Sequence, residues 1–198
     1  MNQRITHTRD SLRAKKAAGK IITAMDMHFA ILEEAKIRHN FKAAEEVFCD
    51  LLDHLNLNPG EQRDETRVQP IGSNLMAFRK AIATIVRYAP DVQTSRKYAC
   101  FFLRHFKEPY RDETTQNRVL INVIYAYANA KDGNYLKEAL DLVKEGLARG
   151  LGRPQPRMLQ RKYGDDNLND VFQSVCRSVL AYHKLEIAED GVSLKPWP

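Results

Sequence analysis

The chain has 198 residues, of which 43% are hydrophobic and 28% are charged, a composition typical of an ordinary globular protein. Its length fits one domain with a sizeable core, and no apolar run approaches the roughly 20 residues of a membrane span. Because lysines interrupt the N-terminal segment, we expect no secretory signal and a cytoplasmic location.

The formal charge of +6 is concentrated in two segments. Residues 1–20 contain six lysines and arginines and one aspartate, and residues 153–162 contain four lysines and arginines and no acid. The rest of the chain therefore carries a small negative charge. Each basic segment could contact nucleic acid or an acidic protein surface, or could form an ordinary solvated surface.

The beginning of the chain predicts a basic helix followed by a helical hairpin. Thr8 is placed to cap a short helix within residues 1–20, although Gly19 and the low apolar content indicate fraying and partial order. Residues 21–39 predict a longer helix that ends at Asn40. Its apolar face is Met27, Ala30, Ile31 and Ala35, and its outer face is Glu33, Glu34, Lys36 and Arg38. Residues 41–55 predict the most amphipathic helix, with the stripe Ala44, Val47, Phe48, Leu51, Leu52 and Leu55.

The middle of the chain predicts a long loop and another hairpin. Residues 56–73 are polar and contain proline and glycine, which is typical of a loop. Helices are predicted over 74–88 and 91–107, because apolar residues recur at helical spacing and a proline follows each segment. Cationic and aromatic side chains are interleaved near the end of this hairpin: Arg96, Lys97, Tyr98, Phe101, Phe102, Arg104, Phe106, Lys107, Tyr110 and Arg111.

Residues 117–153 contain the clearest hairpin in the sequence. Apolar residues recur at i, i+3, i+4 and i+7 from Leu120 to Tyr127, and the pattern restarts from Leu136 to Leu147. The Lys-Asp-Gly-Asn stretch between them supplies the turn, and Gly150 supplies a left-handed helix stop. Two packed antiparallel helices are therefore expected here.

The C-terminal part predicts a linker, a last helix and a β-hairpin. Residues 152–157 hold two prolines and read as a stiff basic linker. The helix is predicted over 166–181, with the stripe Leu168, Val171, Phe172, Val175 and Val179. Apolar residues then alternate on either side of Asp190 and Gly191, which predicts strands joined by a two-residue turn. Since a lone hairpin is marginally stable, it should lean on the helices or on a partner, and Trp197 could pin it.

Two of the hairpins resemble units of tetratricopeptide and pentatricopeptide repeat proteins. Phe41, Ala44 and Phe48 have the spacing of the aromatic, small and aromatic positions in the second helix of a tetratricopeptide unit. Ala139 similarly stands at the small position of a close helix crossing. The resemblance covers about a third of the chain and implies stacked hairpins whose first helices line a concave, ligand-binding face. The partner-binding residues that it implies are His28, Arg38, Arg79, Arg87, Asn122 and Asn129.

The sequence contains no recognisable pattern for catalysis or for a metal. Its six histidines show neither metalloprotease spacing nor a nearby cysteine pair, so no metal is expected. No glycine-rich loop precedes a Lys-Ser or Lys-Thr helix start, and Gly146, Gly150 and Gly152 are interpreted as helix-ending residues. The cysteines Cys49, Cys100 and Cys176 are expected to be reduced, buried and structural. We therefore expect no catalytic residue, no cofactor and no enzymatic activity.

Binding of RNA or DNA is the alternative function. The basic segments could contact phosphates, and Tyr98 or Tyr110 could stack on unpaired bases, whereas Phe101, Phe102 and Phe106 are expected in the core. Base-by-base RNA reading needs many tandem repeats, and the acidic start of the last helix disfavours its use in a DNA groove. The candidate nucleic-acid contacts are Arg9, Arg13, Lys15, Lys16, Arg96, Lys97, Arg104, Arg111, Arg153, Arg157, Arg161 and Lys162.

The sequence as a whole predicts an all-α protein of about seven helices in stacked antiparallel hairpins, with a small C-terminal β-hairpin. Its expected parts are a basic, partly ordered segment (1–20), a helical-repeat-like domain (21–183) and a C-terminal hairpin (184–198). The expected function is non-catalytic binding of another protein through a concave or basic surface, with no cofactor, metal or membrane.

Overall fold

A computed structural model describes residues 8–57, 72–106, 110–130, 132–153 and 168–197. These residues form helices and one two-stranded sheet, which confirms the predicted all-α architecture with a small C-terminal β-hairpin. The helices are α1 (Arg9–Ala17), α2 (Ala24–Leu32), α3 (Phe41–His54), α4 (Ser73–Arg87), α5 (Val92–His105), α6 (Glu113–Asn129), α7 (Gly133–Ala148) and α8 (Leu168–His183). The strands are β1 (Leu185–Ile187) and β2 (Leu194–Pro196), and a π-helical turn (Glu33–Ile37) continues α2.

The chain divides into two compact units, Met1–Thr115 and Gln116–Pro198, called unit 1 and unit 2 below. The predicted three-part division of the chain, with limits after residues 20 and 183, stays a prediction. Most of the predicted loop over 56–73 and most of the predicted linker over 152–157 lie outside the described residues.

Helix α1 begins where the sequence predicts it. The Thr8 side chain accepts a hydrogen bond from the Ser11 backbone, and the Ser11 hydroxyl accepts one from the Thr8 backbone, so the two form a capping box. Gly19 follows the helix with a positive φ of 67°. Leu12 is buried, and α1 packs against α2 and α3. The described part of the basic N-terminal segment therefore packs against the rest of unit 1.

Helix α2 begins three residues later than predicted because Thr23 and Asp26 form its capping box. The predicted inner residues Met27, Ala30, Ile31 and Ala35 are all buried, as expected. Glu34 was predicted on the outer face and is instead buried. Its carboxylate accepts a hydrogen bond from the backbone N–H of Arg9 at 3.1 Å, so the arrival of α1 covers it.

Helix α3 confirms the most amphipathic segment of the sequence. Asn40 does not end α2 as predicted but caps α3, since its side-chain oxygen accepts a hydrogen bond from Ala43 N at 3.2 Å. The reversal between the helices falls on His39, which has a positive φ of 53°. Of the predicted stripe, only Leu55 is half-buried, and the other members are buried.

Helices α4 and α5 form the other hairpin of unit 1. The hydroxyl of Ser95 on α5 donates a hydrogen bond to the carbonyl of Val86 on α4 at 3.0 Å. Aromatic rings fill the space at the far end, where the Phe78 ring centroid lies 4.7 Å from that of Phe106 and 5.2 Å from that of Tyr110. Helix α2 packs on α3 and α4, and α3 also packs on α4. The two hairpins of unit 1 are thus packed side by side.

Unit 2 contains the predicted central hairpin, which is formed by α6 from Gln116 onwards and by α7. The hydroxyl of Tyr127, near the end of α6, lies 3.3 Å from the Glu138 carboxylate near the start of α7. At the other end Arg149 donates a hydrogen bond to Asn117 at 3.4 Å. These contacts join opposite ends of the helices, so the pair is antiparallel. Gly150 ends α7 with a φ of 80°, which confirms the predicted left-handed stop.

Helix α8 crosses α7 at Gly146, which was predicted to end a helix and instead lies inside one. A Cβ atom on Gly146 would lie 2.6 Å from Cζ of Phe172, so the ring rests on the bare backbone of α7. Phe172 and Val179 of the predicted stripe are buried, but Val171 and Val175 are only half-buried. The buried stripe is completed by Asn169, Cys176 and Leu180.

The C-terminal hairpin pairs Leu185 with Pro196 and Ile187 with Leu194. Its turn is longer than the predicted two residues, because the Asp190 carboxylate accepts hydrogen bonds from the N–H groups of Val192 and Ser193, both at 2.9 Å. The hairpin does lean on the helices, as expected, since α8 packs on β1.

The turn of the hairpin also meets the end of α7 through backbone. A Cβ atom on Gly191 would lie 2.6 Å from Cα of Arg153, and one on Gly152 would lie 2.5 Å from Cδ2 of Leu147. Gly152 is therefore placed where Gly191 and Leu147 come close to its backbone, and it does not end a helix. Trp197 does not pin the hairpin by burial: its side chain is 57% exposed, and its backbone N–H donates a hydrogen bond to Lys184.

Candidate partner-binding surface

Helix α2 is apolar on the side that faces solvent as well as on the side that faces the core. Met27, Ala30 and Ile31 are buried, whereas Phe29 keeps 43% of its surface exposed. A surface helix ordinarily carries polar residues opposite its buried stripe, and a helix that is apolar all round is ordinarily covered on all sides. The outer side of α2 is therefore a candidate contact surface.

The outer apolar residues of α2 form a row along the helix. Met25, Phe29 and Leu32 follow one another at i, i+4 and i+7, so they share one face. Ile37, which is 57% exposed, follows at the end of the π-helical turn. Because a π-helical turn closes i to i+5 hydrogen bonds and so holds more residues than an α-helical turn, we expect Ile37 to lie nearer the face of Phe29 than it would in an uninterrupted α-helix.

Helix α4 presents a second exposed face beside α2. Met76, Lys80, Ala83 and Arg87 follow one another at i, i+4, i+7 and i+11, which places them on one side of the helix. Met76 is 50% exposed, and the other three are half-buried. The opposite side of α4 is the core side and holds the fully buried ring of Phe78.

His28 and Lys80 place these two faces next to each other. His28 is buried on α2, and burial, together with the positive charge of Lys80 on α4, lowers the pKa of His28 to about 4. Lys80 must lie near His28 to have this effect. Helices α2 and α4 pack directly against each other, Phe29 follows His28 in the chain, and Met76 lies one turn from Lys80. We define the α2–α4 surface as Met25, Phe29, Leu32, Ile37, Met76, Lys80, Ala83 and Arg87.

No protein-family model matches the chain, and neither a curated protein nor a solved structure matches it. The relation to tetratricopeptide and pentatricopeptide repeats therefore stays a prediction. Of the described helices, none is both long enough and apolar enough to cross a membrane.

The predicted partner-binding residues of unit 1 are only partly on the α2–α4 surface. Arg38 is exposed beyond the row of α2. Arg79 is half-buried and forms an ion pair with Asp112 at 2.8 Å, and the guanidinium of Arg87 lies 5.9 Å from the ring centroid of Tyr88. His28 was predicted to face a ligand and is instead buried, with no hydrogen-bond partner for its Nδ1 among the described residues.

The two predicted residues of unit 2 both lie on α6. Asn129 is exposed, but Asn122 is buried and so does not lie on an exposed face. Sequence reasoning also missed the apolar members of the α2–α4 surface. The signal was present, since Met25, Phe29 and Leu32 repeat at helical spacing on the side opposite the predicted core stripe.

The cations of α1 are largely paired with carboxylates of unit 1. Arg9 forms an ion pair with Glu46 at 2.6 Å, and Arg13 approaches the same carboxylate at 3.8 Å. Lys15 forms an ion pair with Asp26 at 3.0 Å. These pairs bind α1 to α2 and α3, and they reduce the charge that the segment offers to a phosphate backbone.

The remaining predicted nucleic-acid contacts are scattered over the two units. Lys97 lies 3.9 Å from the Glu45 carboxylate, and Arg111 donates a hydrogen bond to the carbonyl of Leu103 at 2.5 Å. The exposed ones are Lys16, Arg96, Lys97, Arg104 and Arg153. Outside the described residues lie Arg157, Arg161 and Lys162. Binding of nucleic acid through these residues stays a prediction.

The two tyrosines considered for base stacking are buried. The Tyr98 hydroxyl donates a hydrogen bond to Glu45, and its ring lies 6.0 Å from that of Phe48. Burial and the Glu45 carboxylate both raise the pKa of Tyr98. Tyr110 packs edge-on against Phe78. Both rings are therefore core residues, which corrects the expectation that they stack on bases.

Two of the three cysteines differ from the prediction in burial. Cys49 and Cys100 are exposed, and only Cys176 is buried as predicted. Burial raises the pKa of Cys176 to about 12, and partial burial together with the nearby carboxylates, Glu45 first, raises that of Cys49. Within the described ranges, no three His, Cys, Asp or Glu side chains come together as a metal site requires.

Acidification should destabilise unit 1 through His28. The folded state keeps this imidazole neutral down to about pH 4, whereas in the unfolded chain it takes up a proton near its ordinary pKa of 6.5. The unfolded state therefore binds more protons between these values, and the free energy of unfolding falls as the pH falls. Lowering the pH from 7 to 5 should reduce it by about 2 kcal/mol, measured by urea unfolding.

The variant His28→Gln should remove most of this pH dependence. His54 on α3 is exposed, so His54→Gln serves as the matched control and should keep the wild-type dependence. An unchanged dependence in His28→Gln would show that other groups cause the loss of stability.

Proposed function

We propose that this protein is a non-catalytic, tetratricopeptide-like helical module of the cytoplasm that binds another protein through the α2–α4 surface. The observation that carries the proposal is the apolar row of α2, of which Phe29 and Ile37 are exposed and Met25 and Leu32 half-buried, opposite a buried stripe on the same helix. Burial of apolar surface releases about 25 cal/mol per Å², so a partner that covers this row gains free energy. Exposed apolar patches with a polar rim mark sites of protein contact.

Two features of unit 1 support binding over catalysis. The Cys49 thiol has its pKa raised, so it is held in the poorly nucleophilic thiol form. His28 is buried, and among the described residues its Nδ1 has no hydrogen-bond partner, such as the acid that orients a catalytic histidine. In contrast, helices packed side by side provide the groove in which proteins commonly receive a peptide or a helix.

A photo-crosslinking amino acid placed at Phe29 should capture a partner protein in cells that produce the full chain. The matched control carries the same amino acid at Trp197, an aromatic residue of unit 2 that is 57% exposed. We expect a distinct crosslinked protein from position 29 and not from position 197. Adding Met76→Glu should reduce its yield about tenfold, because a carboxylate at this position loses the apolar contact and must be desolvated.

Identical products from both positions would contradict the assignment of the α2–α4 surface. A product that is removed by nuclease but not by protease would instead favour the alternative, an RNA- or DNA-binding protein. Binding of that kind should also weaken steeply with salt, which is not expected for contact through an apolar row.

A further inference from the structure

The α2–α4 surface is bordered by cations. Helix α4 contains Arg79, Lys80 and Arg87 and no carboxylate. Lys36 and Arg38 follow the apolar row of α2 and are exposed. Arg79 is engaged with Asp112, and the guanidinium of Arg87 lies near the ring of Tyr88, whereas Lys36 and Arg38 are exposed and Lys80 is half-buried.

The carboxylates of α2 and its π-helical turn offset little of this charge. Glu34 is buried beneath α1, where it accepts a hydrogen bond from Arg9 N. Asp26 closes the capping box of Thr23 and forms an ion pair with Lys15. Only Glu33 is left as a half-exposed carboxylate on this stretch. The surface is thus apolar along its length and positive at its border.

The dimensions of the row fit a helix. From residue 25 to residue 37 the row extends about 18 Å, which corresponds to about three turns of a partner helix. Neighbouring helices pack with axes about 8–10 Å apart and leave a groove between their ridges of side chains. A third helix fills such a groove with residues at i, i+4 and i+7, which is the spacing of the row itself.

On the basis of the proposed function, we propose that the partner presents an acidic amphipathic helix of about three turns to the α2–α4 surface. Its apolar side covers Met25, Phe29, Leu32 and Ile37. Its carboxylates face Lys36 and Lys80. The apolar contact provides the affinity, and the charges select an acidic partner over a basic one.

Two designed peptides test this proposal on the full chain. Each has about 14 residues, blocked ends, a fluorescent label and leucines at i, i+4, i+7 and i+11; one carries glutamates at its other positions and its twin carries lysines. Fluorescence anisotropy should show that the glutamate peptide binds at least about tenfold more tightly than the lysine twin. Circular dichroism should show that the bound glutamate peptide is helical.

Charge reversal separates recognition from a loss of folding. The double variant Lys36→Glu/Lys80→Glu should lower the affinity for the glutamate peptide and raise the affinity for the lysine twin, each about tenfold. An unfolded variant would bind neither peptide. Lys144→Glu/Lys195→Glu, placed in unit 2, is the matched control and should leave both affinities unchanged. Phe29→Ser should lower the affinity for the glutamate peptide about tenfold or more.

Three results would overturn the proposal while leaving the proposed function intact. If both peptides bind equally and Phe29→Ser abolishes their binding, the surface binds apolar side chains without preferring an acidic peptide. Absence of peptide binding, with a partner still crosslinked from position 29, would show a partner of another kind. A crosslink from position 29 to a second copy of this chain would show self-association. Loss of the crosslink itself would instead count against the proposed function.

Discussion

Replacing Phe78 by Ala is expected to lower the free energy of unfolding of unit 1 by about 3–5 kcal/mol, the range found for large-to-small changes at aromatic core positions. Phe78 is fully buried at the centre of an aromatic cluster. Its ring centroid lies 4.7 Å from that of Phe106, 5.2 Å from that of Tyr110 and 6.4 Å from that of Phe102. Truncation removes these ring contacts together and leaves a cavity between α4 and α5.

Met76→Ala is the matched control for this prediction. Met76 lies on the same helix but is 50% exposed, so its replacement should change stability by no more than about 0.5 kcal/mol. The only tryptophan is Trp197 in unit 2, so unfolding of unit 1 should be followed by far-ultraviolet circular dichroism. A loss below about 1 kcal/mol for Phe78→Ala would mean that the cluster does not support the α4–α5 packing.

Replacing Gly146 by Ala is expected to destabilise unit 2, although alanine is the better helix former. In an open helix this change would gain about 1 kcal/mol. Here the added methyl would lie 2.6 Å from Cζ of Phe172 and would push α8 away from α7. Overpacking of this kind costs about 1–3 kcal/mol, so the sign of the usual effect should reverse.

The double variant Gly146→Ala/Phe172→Leu tests whether the ring causes this loss. Once the ring is absent, alanine at position 146 should be neutral or stabilising relative to Phe172→Leu alone. Residues in contact deviate from additivity by about 0.5–3 kcal/mol, and urea unfolding of the four proteins of the cycle measures that deviation. Additive effects would show that Gly146 is needed for a reason other than the approach of Phe172.

The helices were predictable because their signals are local. Apolar residues that recur at i, i+3 and i+4 form a stripe wherever the segment is placed. The stripe of α3 is buried except for Leu55, and Ala139, Val143 and Leu147 of the α7 stripe are buried. The cap at Thr8 and the left-handed stop at Gly150 involve residues a few positions apart in the chain. Only their neighbours in sequence are needed to recognise them.

The candidate surface was predictable only in part. Of the partner-binding residues predicted on α4 and after α2, Arg38 is exposed and Arg87 is half-buried. The resemblance to helical repeats favoured polar residues, however, and so selected the buried His28 in place of its exposed neighbour Phe29. Because α2 has apolar residues on all of its sides, its sequence does not predict which side another helix covers.

The sequence by itself determined where the helical segments lie, the cap at Thr8, the stop at Gly150 and the presence of a small C-terminal hairpin, because these depend on residues within a few positions of one another. The tertiary structure alone decided that Glu34 is buried. Its carboxylate accepts a hydrogen bond from the backbone N–H of Arg9, which lies 25 residues away in the chain. The tertiary structure likewise decided that Gly146 meets Phe172 and that Phe29 faces solvent. Each of these three outcomes depends on which distant segment packs against a given face of a helix. The residue pattern of a single helix does not identify that segment.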